Sequence, residues 1–167
     1  MTLDELLVEF GSDKGMHPEQ GSRFGRYYER HFDPKPASLL ELGVGTGASL
    51  RAWVDWGIER VAGVDLNRPD LFADLMLWQG DVTDRVLAES IPGPFDAIVD
   101  DASHDPIQVM QTYGLYRGKV RPGGWYVIED TVNAGMLIYD RLVGDLQREV
   151  LAELHLYPDI LFVRMLA

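Results

Sequence analysis

The chain has 167 residues, enough for one domain around one core, and 46% of them are hydrophobic, with 4 Trp, 7 Tyr and 6 Phe to fill it. Lys+Arg 15 against Asp+Glu 27 leaves a net charge of −12, which disfavours nucleic acid and anionic membrane as partners, since both are bound through basic patches. Cysteine is absent, which removes disulfides, thiolate metal sites and a Cys nucleophile.

No apolar run approaches the ~20 residues that span a bilayer. Met1-Thr2-Leu3-Asp4-Glu5 also lacks the basic start of a signal peptide, so a soluble, cytoplasmic protein is expected.

Leu3, Leu6, Leu7 and Phe10 follow the i, i+3, i+4, i+7 spacing of a short amphipathic helix, with Thr2 and Glu5 as a capping box and Gly11 as its end. Residues 11–23 read as loop, and helix resumes over 24–31 before Pro34 and Pro36. From Ser38 the pattern alternates. Strands are expected at 39–42, 60–66, 76–79, 95–101 and 124–130, with helices at 48–56, 106–119 and 139–151. Leu142, Val143, Leu146, Val150 and Leu151 supply the last helix's apolar face. Residues 155–157 and 160–166, joined by Pro158-Asp159, read as a closing hairpin. Strands alternating with helices specify an α/β fold: a doubly wound, Rossmann-like parallel sheet with helices on both faces, here ended by an antiparallel hairpin. One domain is expected over 1–167, with a helical cap segment at 1–37 and the core at 38–167.

Two strand ends carry the chemistry. Phe95-Asp96-Ala97-Ile98-Val99-Asp100-Asp101 ends in two carboxylates, and His104 follows three residues later. Gly124-Trp125-Tyr126-Val127-Ile128 ends in Glu129-Asp130. As neighbouring strands their ends lie about 4.8 Å apart, so up to four carboxylates crowd one edge. Such crowding calls for a cation, and oxygen-only donors suit a hard one such as Mg2+. Asp105-Pro106 is a helix start, so His104 falls in the loop before that helix.

The segment Glu41-Leu42-Gly43-Val44-Gly45-Thr46-Gly47-Ala48 joins the first strand to its helix. Its glycines permit a tight turn and let a ligand press on the backbone. Asp65 ends the next strand, 22 residues past Gly43, where a carboxylate can accept ribose hydroxyls. Asp81, after the third strand, is placed to reach an adenine edge. Gly43-x-Gly45-x-x-Ala48 also fits a dinucleotide fingerprint, so an NAD-type oxidoreductase is the rival reading. Glu41 before the glycines, the short chain and the reversed closing hairpin count against it. A non-catalytic, adenosyl-ligand-binding subunit is a further alternative; His104 argues against that one, because binding alone needs no base.

Glu41-Leu42-Gly43-Val44-Gly45, Asp65, Asp81, Gly123-Gly124 and the terminal hairpin resemble a class I S-adenosylmethionine-dependent methyltransferase. Gly11-Ser12-Asp13-Lys14-Gly15, Tyr27-Tyr28-Glu29, Asp100-Asp101-x-Ser103-His104 and Ile128-Glu129-Asp130 narrow the resemblance to the metal-dependent sugar O-methyltransferases of macrolide and related antibiotic pathways. It runs from about residue 3 to 165.

The resemblance implies S-adenosylmethionine and Mg2+ as cofactors and a hydroxyl acceptor, small or carrier-bound, such as a sugar or another natural-product diol. Asp101, Glu129 and Asp130 would hold the metal, and His104 would be the general base. Asp65 would take the ribose and Asp81 the adenine end. Glu41, Gly43, Gly45 and Asp100 would line the cofactor, with Lys14 in a motif that folds over it. The chemistry is consistent, because a bound divalent ion lowers a hydroxyl pKa and a histidine can take the proton near neutrality.

His17, His31 and His155 lack an acidic partner in sequence and read as surface or structural, while Trp53 and Trp56 read as core. The sugar enzymes usually carry an extra N-terminal domain and a long insertion after the fifth strand. Here only residues 131–135 separate Asp130 from the expected last helix, so an open acceptor side is expected. An open side suits a large acceptor or a lid from another subunit of a homo-oligomer.

Overall fold

Seven strands form one sheet in the order β3-β2-β1-β4-β5-β7-β6. The computed structural model describes residues 1–15, 24–67, 75–148 and 151–167; His17 and Val150 therefore lie outside the described residues. In chain order the elements are α1 Leu3–Glu9, α2 Gly25–His31, β1 Ser38–Leu42, α3 Ala48–Trp56, β2 Arg60–Asp65, β3 Met76–Gln79, α4 Arg85–Ser90, β4 Phe95–Asp100, α5 Pro106–Tyr116, a 3-10 turn Arg117–Lys119, β5 Val120–Glu129, α6 Thr131–Gln147, β6 Leu151–Leu156 and β7 Ile160–Met165. β1 through β5 are parallel, and β7 runs antiparallel between β5 and β6.

Parallel strands covered on both faces read as continuous apolar runs, and β1 is buried at all five positions. The pleat sorts their side chains. Leu39, Val61, Ala97, Val99, Val127 and Phe162 face the layer of α1, α2 and α3, where Trp53 and Trp56 are core. Leu40, Val64, Ile98, Tyr126, Ile128 and Val163 face α4, α5 and α6. The chain departs from β1 in opposite directions toward β2 and β4, which opens a crevice at their carboxyl ends.

The capping box at Thr2 and Glu5 is present, each side chain bonding the other residue's backbone N–H at 3.2 and 2.8 Å. Several boundaries differ from those expected. α4 has no apolar stripe to reveal it and starts on its Asp84 cap, which accepts from Val86 N at 2.7 Å. α6 begins at Thr131, directly after Asp130, and ends by Gln147, so Leu151 belongs to β6 and not to a helix. The turn between strand and last helix is therefore even shorter than residues 131–135. Among the described residues no helix is long and apolar enough to cross a membrane.

Candidate functional site

A cavity of about 520 Å³ opens at the carboxyl ends of β1, β2 and β4, walled by Gly11–Lys14, Gly43–Thr46, Asp65, Asp101, His104 and Asp130. Gly43 has φ +82°, and a Cβ there would overlap the Asp101 carbonyl oxygen and lie 2.6 Å from Ala102 Cα. Glycine is required because the end of β4 passes directly against the loop. Gly45 has φ +55° and nothing within 4 Å of its missing Cβ, so its backbone faces open cavity.

Asp65 Oδ2 accepts from Val44 N at 2.8 Å and Gly45 N at 2.9 Å, and its Oδ1 accepts from Asn67 N at 2.8 Å. The carboxylate thus fixes the glycine loop. With about four lone-pair sites it can still accept from a ligand. Asp81 is outside the cavity wall. It is exposed, and its Oδ1 accepts from Thr83 N at 2.8 Å and Thr83 Oγ1 at 2.7 Å. Those bonds, the backbone one foremost, hold its pKa below the usual value.

The four strand-end acids separate by the pleat. Asp100 has the parity of Ile98 and turns to the α5 side, where it is 2% exposed and accepts from Tyr126 Oη at 2.8 Å. Burial pushes its pKa up to about 6 against that bond. It lines no part of the cavity, contrary to expectation. Glu41, Asp101 and Glu129 share the opposite parity and converge on one ammonium, that of Lys14. Lys14 Nζ donates to Asp101 Oδ2 and, at 2.6 Å, to Glu129 Oε2, and it lies 3.2 Å from Glu41 Oε1.

This group is buried. Lys14 and Glu129 are 2% exposed and Glu41 is fully covered. Glu41 also accepts from Ser49 Oγ at 2.8 Å and Trp53 Nε1 at 3.0 Å, so it sits beneath the cavity and not in its wall. Burial lowers the Lys14 pKa, but its three carboxylates outweigh that and hold it well above the ordinary value. Burial raises Glu41 and, more strongly, Glu129, despite Lys14 beside both. Glu129 Oε1 accepts from Tyr28 Oη as well. Tyr28 was quoted in the sequence only as part of Tyr27-Tyr28-Glu29; its reach to Glu129 spans 101 positions and has no local signal.

Asp101, His104 and Asp130 form the second cluster, with one ligand atom from each within 4.8 Å of the others. His104 Nε2 is 3.0 Å from Asp130 Oδ2 and 3.9 Å from Asp101 Oδ1. The His104 side chain is 49% exposed, Asp130 33% and Asp101 16%, so the cluster opens to the cavity. Partial burial first, and Asp101 next, push Asp130 up to about 6, with His104 opposing. Asp130 has φ +52°, a left-handed conformation that Asp tolerates at a cost and that turns its carboxylate toward His104. The converging set thus differs from the expected Asp101, Glu129 and Asp130: His104 stands in it, and Glu129 is drawn aside by Lys14 and Tyr28.

His31 and His155 stand apart from this crevice. His31 Nε2 is 2.8 Å from Tyr157 Oη, and its ring stacks on Phe162. His155 does have an acidic partner, Glu153 at 3.0 Å, because two residues along a strand share a face.

No protein-family model matches the chain. It is 33% identical over 148 residues to 8-demethyl-8-α-L-rhamnosyl tetracenomycin-C 2′-O-methyltransferase of Streptomyces olivaceus, covering 77% of this chain and 37% of that protein. It is 34% identical over 123 residues to mycinamicin VI 2″-O-methyltransferase of Micromonospora griseorubida, covering 64% of this chain and 31% of that one. Among solved structures, the MycE methyltransferase of the mycinamycin biosynthetic pathway, in complex with Mg, SAH and mycinamycin VI, superposes with a TM-score of 0.89 at 26% identity, over 99% of this chain and 55% of that one. The chain spans about a third of the length of these curated relatives.

Proposed function

Because this chain has the class I methyltransferase fold and is related to sugar O-methyltransferases of antibiotic pathways, we propose that it transfers a methyl group from S-adenosylmethionine to a hydroxyl, aided by a divalent cation. The observation that carries the reading is the convergence of Asp101, His104 and Asp130 at a cavity whose other wall is the glycine loop held by Asp65. The donor set fits a hard cation, since Asp101 and Asp130 offer carboxylate oxygens at the cavity. The open backbone at Gly45, beside the Asp65 carboxylate, fits a nucleoside. Cytoplasmic location and a glycosylated natural product as acceptor accompany the proposal; the acceptor rests on the substrates in the relatives' names.

When bound, the cofactor supplies the methyl group and the cation lowers the pKa of a coordinated hydroxyl. The chain's residues do the rest. Asp101 and Asp130 would hold the cation. Asp130 faces His104 Nε2 at 3.0 Å, so a neutral imidazole that donates to it from Nε2 would take the hydroxyl proton at Nδ1. Asp65 would receive the ribose. Gly43 lets the glycine loop lie against the end of β4, so the places for cofactor and acceptor would adjoin, which is proximity catalysis.

The test is incubation with S-adenosylmethionine and rhamnosylated or macrolide-glycoside acceptors, with Mg2+ and with chelator, read by mass. Gain of one methyl that chelation abolishes is the expected result. Transfer that survives chelation would remove the metal; NAD bound more tightly than S-adenosylmethionine by calorimetry would remove the whole reading.

A further inference from the structure

Lys14 occupies the place between two acids that a cation at this site would need. Its ammonium holds Asp101 Oδ2 and Glu129 Oε2 together, while Asp101 Oδ1 and Asp130 face His104 on the other side. Pairing in β4 and β5 sets Asp100 beside Ile128, so Asp101 and Glu129 are neighbours across the strand ends. One ammonium serves three carboxylates here, so the cluster keeps an excess of negative charge inside the protein. Such an excess is costly unless a second positive charge or a proton joins it.

Lys14 lies outside the hydrogen-bonded sheet. It lies in the 11–15 segment, beyond the end of α1, and that segment is also a wall of the cavity. The segment rests on α1 through Ser12 N to Leu7 O at 2.8 Å, Lys14 N donates to the nearby Ser12 Oγ at 3.3 Å, and Lys14 O accepts from Phe24 N at 3.1 Å. If the ammonium leaves, Glu129 keeps Tyr28 on Oε1 and presents a free Oε2, and Asp101 presents a free Oδ2. Asp101, Glu129 and Asp130 are then the three-carboxylate donor set.

We propose that Lys14 is a built-in cation that competes with the divalent ion: its ammonium holds Asp101 and Glu129 until the ion enters, and ion binding expels it together with the 11–15 segment. The inference rests on the metal reading of this site and adds to it a device that offsets part of the buried acids' charge before the ion arrives. Lys14 is on this view a positioning residue and makes no contact with reacting atoms.

Two measurements on the whole chain with Mg2+ alone test it. Hydrogen exchange should show the Ser12, Lys14 and Gly15 amides exchanging faster once Mg2+ is bound. Calorimetry should show Lys14→Met binding Mg2+ about tenfold or more tightly than wild type, since the competent state is no longer held back. Binding of Mg2+ with exchange at these amides unchanged or slowed overturns the inference and leaves the metal site standing. If Lys14→Met does not fold, the wild-type exchange result decides alone. Binding by Lys14→Met but not by wild type supports the competition. Failure of both to bind Mg2+ fails the metal reading itself, and the inference with it.

Discussion

His104 Nε2 lies 3.0 Å from Asp130 Oδ2, joining the loop after β4 to the residue that starts α6. The pair orients the imidazole without burying it, and Asp130 adopts φ +52° to make the contact. His104→Ala should therefore lower methyl transfer by roughly 10²–10⁴-fold while leaving cofactor affinity nearly unchanged. Near-normal turnover in His104→Ala would assign proton removal to the cation alone.

Asp65 has two tasks, so its loss should show twice. Asp65→Ala should weaken S-adenosylmethionine binding by about 1.5–3 kcal/mol, the range for hydrogen bonds to a charged group. It should also loosen the glycine loop, because the Val44 and Gly45 N–H groups lose their acceptor. Calorimetry reads the first effect and exchange at those two amides in the free protein reads the second.

Gly43 and Gly45 should respond differently to alanine although both have positive φ. Each substitution costs roughly 1–2 kcal/mol for the left-handed backbone. At Gly43 the added Cβ also meets the Asp101 carbonyl and Ala102 Cα, so Gly43→Ala should lower the thermal midpoint clearly more than Gly45→Ala. Gly45→Ala should mainly impair cofactor binding. Equal losses of stability would argue against the packing of the loop on β4.

His31 predicts acid sensitivity unrelated to catalysis. Burial first, then His155 and Arg30, lower its pKa to about 4, with Glu153 opposing. Tyr157 shares its hydrogen bond. The unfolded chain binds the proton more readily than the folded one, so stability is lost as pH falls from about 6.5 towards 4 and the loss levels off below that. After allowance for solvent screening the contribution is roughly 1–2 kcal/mol. His31→Phe, which keeps a ring against Phe162, should flatten this part of the plot of thermal midpoint against pH.

The order of elements apart from α4, the acid pairs ending β4 and β5, and the glycine turn with Asp65 were legible in the residues, because apolar period, turn chemistry and spacing are local properties. The same holds for His104 in the loop before α5, placed by the Asp105-Pro106 start. Three decisions belonged to the tertiary structure. The pleat sent Asp100 to the α5 side and Asp101 to the cavity, a split that adjacency in sequence does not show. Long-range packing brought Lys14 and Tyr28 to Glu129 across 115 and 101 positions, and so drew Glu129 away from Asp130. Asp81, just past the end of β3 beside Asp65, is held in a local turn with Thr83 and does not line this cavity. Side-chain type and spacing name the groups that can do chemistry, but which carboxylate faces which cation is decided by strand register and by what packs across it.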